Sequence, residues 1–190
     1  MESLDNYSID QFYLCGHSLG GMVAQEIAIK HPKRLLGLIL AETTYGTKSS
    51  LFEKLGTFMA NLFMRMISQK QLISMSAKNY GKCSKETEEY IREVMSTYTI
   101  EESKKVMGAA TTYSSLLELV KLKINTLILV GACNRQTHKQ AQKLNKKIKN
   151  SKYVSLSNAH HILCLDNPDE FNKEVFEFIK FVENRLSSVI

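Results

Sequence analysis

One serine stands in surroundings that could make it a nucleophile. Gly16-His17-Ser18-Leu19-Gly20-Gly21 follows a short apolar run, Phe12-Tyr13-Leu14-Cys15, and leads at once into a helical pattern, Met22-Val23-Ala24-Gln25. Gly-x-Ser-x-Gly between a strand and a helix describes a sharp turn that strains the serine backbone and presents its Oγ at the strand end. Gly16 and Gly20 are expected to leave room where strand and helix approach, since a Cβ there would clash. The first amides and positive dipole end of the helix would face the charge that develops when the serine attacks a carbonyl. Other chemistries find less support. Cys15, Cys83, Cys133 and Cys164 are scattered and match no metal-ligand spacing, so reduced, mostly buried thiols and no metal centre are expected. Lys139, Lys143, Lys146, Lys147, Lys149 and Lys152 crowd one stretch. Ala141, Leu144 and Ile148 there fall on one helical face and no aromatic residues interleave, which reads as a solvated helix rather than a nucleic-acid surface.

The elements that must position the serine are legible from periodicity. The 190 residues, 44% hydrophobic and 23% charged with a net charge of +6, suit one globular core with an insertion. No apolar run approaches the roughly 20 residues of a membrane span. Met1-Glu2-Ser3-Leu4-Asp5 lacks the basic start and apolar core of a signal peptide, so the default expectation is a cytoplasmic protein. The helix after Ser18 should end near Lys30, before His31-Pro32, with Gly20, Ala24 and Ala28 against a sheet. Leu35–Ala41 and Thr126–Gly131 read as buried parallel strands, and Tyr153–Leu156 as a shorter one. Between them the pattern is helical, with segments at 50–66, 69–80, 85–97 and 100–118. Ser84 caps the third and Thr99-Ile100-Glu101-Glu102 has capping-box spacing for the fourth. The first carries Phe52, Phe58, Met59, Phe63, Met64 and Met66, a stripe that reads first as core and second as an acyl pocket. Asp169–Leu186 closes the chain as an amphipathic helix with Phe171, Val175, Phe178 and Val182 inward. Strands alternating with helices imply an α/β fold with a mostly parallel sheet.

Taken together, these landmarks resemble the α/β-hydrolase family, in its esterase, lipase and proline-iminopeptidase-like branch. Gly16-His17-Ser18-Leu19-Gly20-Gly21 matches the nucleophile turn, Thr126-Leu127-Ile128-Leu129-Val130-Gly131 the strand before the acid loop, and Asn158-Ala159-His160-His161 with Asp166-Asn167-Pro168 the histidine turn. The resemblance implies a hydrolase core at 1–46 and 119–190 and a helical lid at 47–118. It implies Ser18 as nucleophile, His161 as general base and acid, and the Leu19 N–H as an oxyanion donor. His160, where the family usually has glycine, is expected to play no part, and Asp166 to be structural. The acid is open. Asn134 occupies its usual place, where an amide would cost roughly 10⁴-fold in rate; Glu42, at the end of the preceding strand, is the alternative.

The family pattern also has four strands ahead of the one leading to the serine, and this chain starts just before that strand. Phe12–Cys15 is therefore expected to be a sheet edge open to self-association, and the second oxyanion donor to be missing. The expected function is hydrolysis of a carboxylic ester or related acyl bond on a small molecule, with no cofactor, nucleic acid or membrane span. The alternatives are a truncated, non-catalytic segment acting as an interaction module, and lyase or other non-hydrolytic chemistry at the same serine.

Overall fold

Short apolar runs separated by helices long enough for a crossover can pair only in parallel. The computed structural model describes residues 2–46, 56, 58–59, 62–63 and 66–188. Strands β1 (Phe12–His17), β2 (Leu35–Ala41), β3 (Asn125–Gly131) and β4 (Ser151–Leu156) form one sheet in the order β1-β2-β3-β4. All three pairings are parallel, with Cys15 opposite Ile39 and Ile39 opposite Leu127. Helices α1 (Glu2–Asn6) and α2 (Leu19–Lys30) precede β2. Between β2 and β3 lie α3 (Gln69–Tyr80), α4 (Lys85–Ser96), α5 (Ile100–Thr112) and α6 (Leu116–Leu119). Helix α7 (Arg135–Lys147) joins β3 to β4, and α8 (Leu163–Asp166) and α9 (Pro168–Ser187) follow.

The period of two along each strand divides the core between two faces. Leu38, Leu40, Ile128 and Val130 pack with Ala24 and Ala28 of α2 and Ala141 and Leu144 of α7. Ile39, Ala41, Leu127 and Leu129 point the other way, against Phe178 and Val182 of α9 with Phe171 and Val175 beside them. Helices thus cover both faces, the arrangement expected of an α/β sheet. Among the described residues β1 has a neighbour on one side only.

Several details differ from the sequence reading. Gly20 is not the close-approach residue; a Cβ there would meet nothing within 4 Å. A Cβ at Gly16 would lie 2.5 Å from the Gly20 carbonyl oxygen and 2.7 Å from Ala24 Cβ, and one at Gly21 2.4 Å from Thr43. Opposite effects follow for two neighbouring glycines. Gly16→Ala should lower stability by about 1–3 kcal/mol, since backbone cannot yield to the added methyl. Gly20→Ala, in an open helical position, should raise it by about 0.5–1 kcal/mol. Urea unfolding midpoints of the two variants check this pair.

The single helix expected over 100–118 is two, α5 and α6, because tertiary pairing interrupts it. Gly46 and Ser114 form an isolated antiparallel bridge, Ser115 N–H donates to Tyr45 O at 2.9 Å, and buried Ser115 Oγ donates to Gln25 Oε1 at 2.6 Å. Segment 50–66 lies largely outside the described residues, Phe52 and Met64 included. Its described apolar members, Phe58, Met59, Phe63 and Met66, are exposed rather than core. Cys15, Cys133 and Cys164 are exposed and Cys83 half-buried, so the thiols are not mostly buried. Among the described residues no helix is long and apolar enough to cross a membrane.

Candidate active site

Parallel strands bring all their C-terminal ends to one edge, and loops leaving that edge gather residues far apart in sequence. Ser18 follows β1, Glu42 follows β2, Asn134 follows β3 and His161 lies beyond β4. Ser18 has φ 52° and ψ −120°, the strained conformation that its glycine-flanked turn implies. Its N–H donates to Ala41 O at 3.0 Å, and its carbonyl accepts from Thr43 Oγ1 at 2.7 Å. The turn is thereby fastened to the end of β2. Leu19 opens α2, so its N–H belongs to the amides of a helical first turn that have no partner within the helix.

Glu42 also has positive φ, 44°. Its carboxylate is fully buried and collects four donors. The Gly131 N–H and Asn134 Nδ2 donate at 2.6 Å each, Thr137 Oγ1 at 3.3 Å and His161 Nδ1 at 3.4 Å. His161 Nε2 in turn lies 3.1 Å from Ser18 Oγ. Oγ, imidazole and carboxylate form a continuous line. Asn134 has no hydrogen bond to the imidazole among the described residues; its amide donates to Glu42 Oε2. Gly131 is required here, because a Cβ would sit 2.3 Å from His160 O as the acid loop and histidine loop pass each other.

Three further residues hold the histidine; the sequence reading makes Asp166 structural and gives Tyr80 and His17 no role. The Tyr80 ring, at the end of α3, stacks on His161 with centroids 4.5 Å apart and planes at 20°. Burial, and then the negative charge of Glu42, push the Tyr80 phenol up. His17, the variable residue before the serine, donates from Nε2 to His161 O at 2.6 Å and packs its ring 4.9 Å from the imidazole. Burial, with His161 nearby, pushes the His17 imidazole down and favours its neutral form. Asp166 joins the loop to the inserted helices, taking the His160 N–H at 2.8 Å and Thr87 Oγ1 at 2.7 Å. His160 is buried; its backbone N–H joins this web, and its ring lies 6.4 Å from that of Tyr80. Among the described residues no group of three or more His, Cys, Asp or Glu side chains could hold a metal ion.

A parallel sheet flanked by helices, with a strained serine after one strand and a histidine beyond a later one, defines the α/β-hydrolase fold. A family model described as serine aminopeptidase, S33, matches residues 2–168. The chain belongs to that family of hydrolases. It is similar to a proline iminopeptidase of Saccharolobus solfataricus, with 26% identity over 196 residues, and spans 90% of itself but 62% of that relative's length. Among solved structures it resembles MenH from S. aureus, with 24% identity, TM-score 0.76 and coverage of 96% of this chain and 73% of that one. The enol-lactonase from Burkholderia xenovorans LB400 gives 21% identity, TM-score 0.77 and coverage of 94% and 69%. An esterase from Thermogutta terrifontis gives 22%, 0.78, 95% and 69%.

Proposed function

We propose that this chain hydrolyses a carboxylic ester or related acyl bond of a small molecule through Ser18, His161 and Glu42. The observation that carries the reading is the unbroken line from Ser18 Oγ through His161 to Glu42, at 3.1 Å and 3.4 Å. Ser18 Oγ attacks the acyl carbon while its proton passes to His161 Nε2. The resulting imidazolium is stabilised by the Glu42 carboxylate through Nδ1–H. The oxyanion of the tetrahedral intermediate meets the Leu19 N–H at the start of α2. Collapse of the intermediate breaks the bond to the leaving group, which takes the proton from Nε2. His161 then deprotonates a water that attacks the acyl-serine, and return of that proton to Oγ releases the acid. The names of the relatives, an esterase and an enol-lactonase among them, agree with acyl transfer to water and leave the acyl group and leaving group open. Steady-state hydrolysis of p-nitrophenyl esters of graded acyl length tests the reading; no ester turned over above the uncatalysed rate would overturn it.

Within this mechanism Tyr80 positions the imidazole from the inserted helices. Tyr80→Phe keeps the stacked ring and should leave kcat within about twofold, whereas Tyr80→Ala should lower kcat by roughly three- to tenfold, the worth of one aromatic pair. KM should change little for both, which a steady-state comparison checks.

A second reading rests on β1, the strand that leads to Ser18, having a neighbour on one side only among the described residues. An open edge pairs readily with another strand, and a module that works by such pairing needs no turnover. It predicts no covalent reaction at Ser18.

A further inference from the structure

Two cysteines far apart in sequence are brought together by the way the inserted helices dock on the core. Cys83 lies in the turn between α3 and α4, and Cys133 in the loop after β3. Both segments rest on the histidine loop. The Cys133 N–H donates to Ala159 O at 2.9 Å. Thr87 Oγ1, in the first turn of α4, donates to Asp166 at 2.7 Å, and Asp166 accepts the His160 N–H at 2.8 Å. The turn is fixed at both ends: the Gly81 N–H donates to Ala77 O at 2.8 Å, and Ser84 Oγ accepts from the Thr87 N–H at 3.2 Å. Lys82 and Cys133 accordingly line one cavity of about 210 Å³. Within this arrangement the Cys133 thiol is the side-chain hydrogen-bond partner of Cys83.

The two thiols differ in a way that suits oxidation in sequence. Cys133 is exposed and Cys83 half-buried, so an oxidant from solvent meets Cys133 first. Burial, and then the Cys133 thiol beside it, push the Cys83 thiol up, which keeps it protonated until its partner is oxidised. An accessible thiol with a second thiol in reach is the pairing in which oxidation ends in a reversible disulfide. We propose that Cys83 and Cys133 are a peroxide-responsive pair whose disulfide clamps the inserted helices to the acid loop. The Cys133 sulfur attacks one peroxide oxygen; the O–O bond breaks, a sulfenic acid forms, and the departing hydroxide leaves with the thiol proton as water. The Cys83 sulfur then displaces the hydroxyl from Cys133, forming the S–S bond and a second water. Two thiols lose two electrons and one peroxide gains them. The clamp would grip both sides of the imidazole, since Cys83 lies just beyond Tyr80, which stacks on His161, and Cys133 precedes Asn134, which donates to Glu42. Formation of the bond does not depend on the hydrolase reading.

Cys15 and Cys164, the other two thiols, lie near enough for one to sense the other's charge, so the test must tell the pairs apart. The folded full chain is treated with hydrogen peroxide, alkylated, and digested without reductant for mass spectrometry. The expected result is a loss of two hydrogens per chain and one linked peptide joining Cys83 to Cys133, both reversed by dithiothreitol. The double variant Cys15→Ser with Cys164→Ser should give the same linked peptide. Cys83→Ser should lose it and leave on Cys133 a sulfenic acid that dimedone traps, while Cys133→Ser should lose it without that adduct. In the oxidised chain the amides of residues 79–84 should exchange with deuterium roughly tenfold more slowly than in the reduced chain, because the clamp suppresses local opening. In Cys83→Ser peroxide should not slow them. A Cys15–Cys164 bond in place of the Cys83–Cys133 bond, disulfides between chains only, or Cys133 driven to sulfinic acid while Cys83 stays free would overturn the pair. Unchanged exchange in the linked chain would overturn the clamp.

Discussion

Replacing Glu42 with glutamine should lower ester turnover by roughly 10⁴-fold, the loss seen when a triad carboxylate becomes an amide. The physical reason is visible in the four donors around that carboxylate. An amide nitrogen placed among them opposes the Gly131 N–H or the Asn134 Nδ2, and its orientation no longer selects the imidazole tautomer that accepts from Ser18. It also removes the charge that stabilises imidazolium. Asn134→Asp provides the complementary outcome. Restoring an acid at the position where the family usually has one should lower activity, because a second carboxylate 2.6 Å from Glu42 Oε2 replaces an attraction with a repulsion. Steady-state kinetics on both variants, with circular dichroism to confirm folding, check this; a rise in rate for Asn134→Asp would move the acid's role from Glu42 to residue 134.

Ser18→Ala carries the largest expected loss. Removing Oγ leaves His161 with nothing to deprotonate but water, so covalent catalysis ends. The residue left should be no more than about 10³–10⁴-fold over the uncatalysed rate, from binding and the remaining oxyanion donor. The substitution should not disturb the turn, since the fastening contacts are the Ser18 backbone N–H and carbonyl, to Ala41 O and Thr43 Oγ1. A stopped assay for ester hydrolysis at high enzyme concentration measures the residual rate.

The parts of this site legible in the sequence are those fixed by local patterns. Gly-x-Ser-x-Gly after an apolar run defines the turn at Ser18, because strand, turn and helix are contiguous. Leu38, Ile39, Leu40 and Ala41 read as a strand buried on both faces, and they are. Ser84 and the Thr99–Glu102 box cap their helices as their spacing implies. What was not legible depends on how distant loops meet. Asn134 and Glu42 both end strands, and only the packing of β2 beside β3 decides which faces His161. The choice among Gly16, Gly20 and Gly21 turns on the helix's rotation about its axis, which spacing does not set. Tyr80 carries no sequence signal, since its stacking on His161 arises from the path of the inserted helices. The break between α5 and α6 likewise follows from Ser115 meeting Gln25 some 90 positions away.

The central claim is that Ser18 is a nucleophile activated by His161, and a covalent probe tests it most directly. The folded chain is treated with a fluorophosphonate, digested, and each peptide weighed, alongside Ser18→Ala and unfolded wild type. The account predicts one phosphonyl adduct, on the peptide containing Ser18, absent from both controls. A folded wild-type chain with no adduct, or an adduct that survives Ser18→Ala, would contradict it.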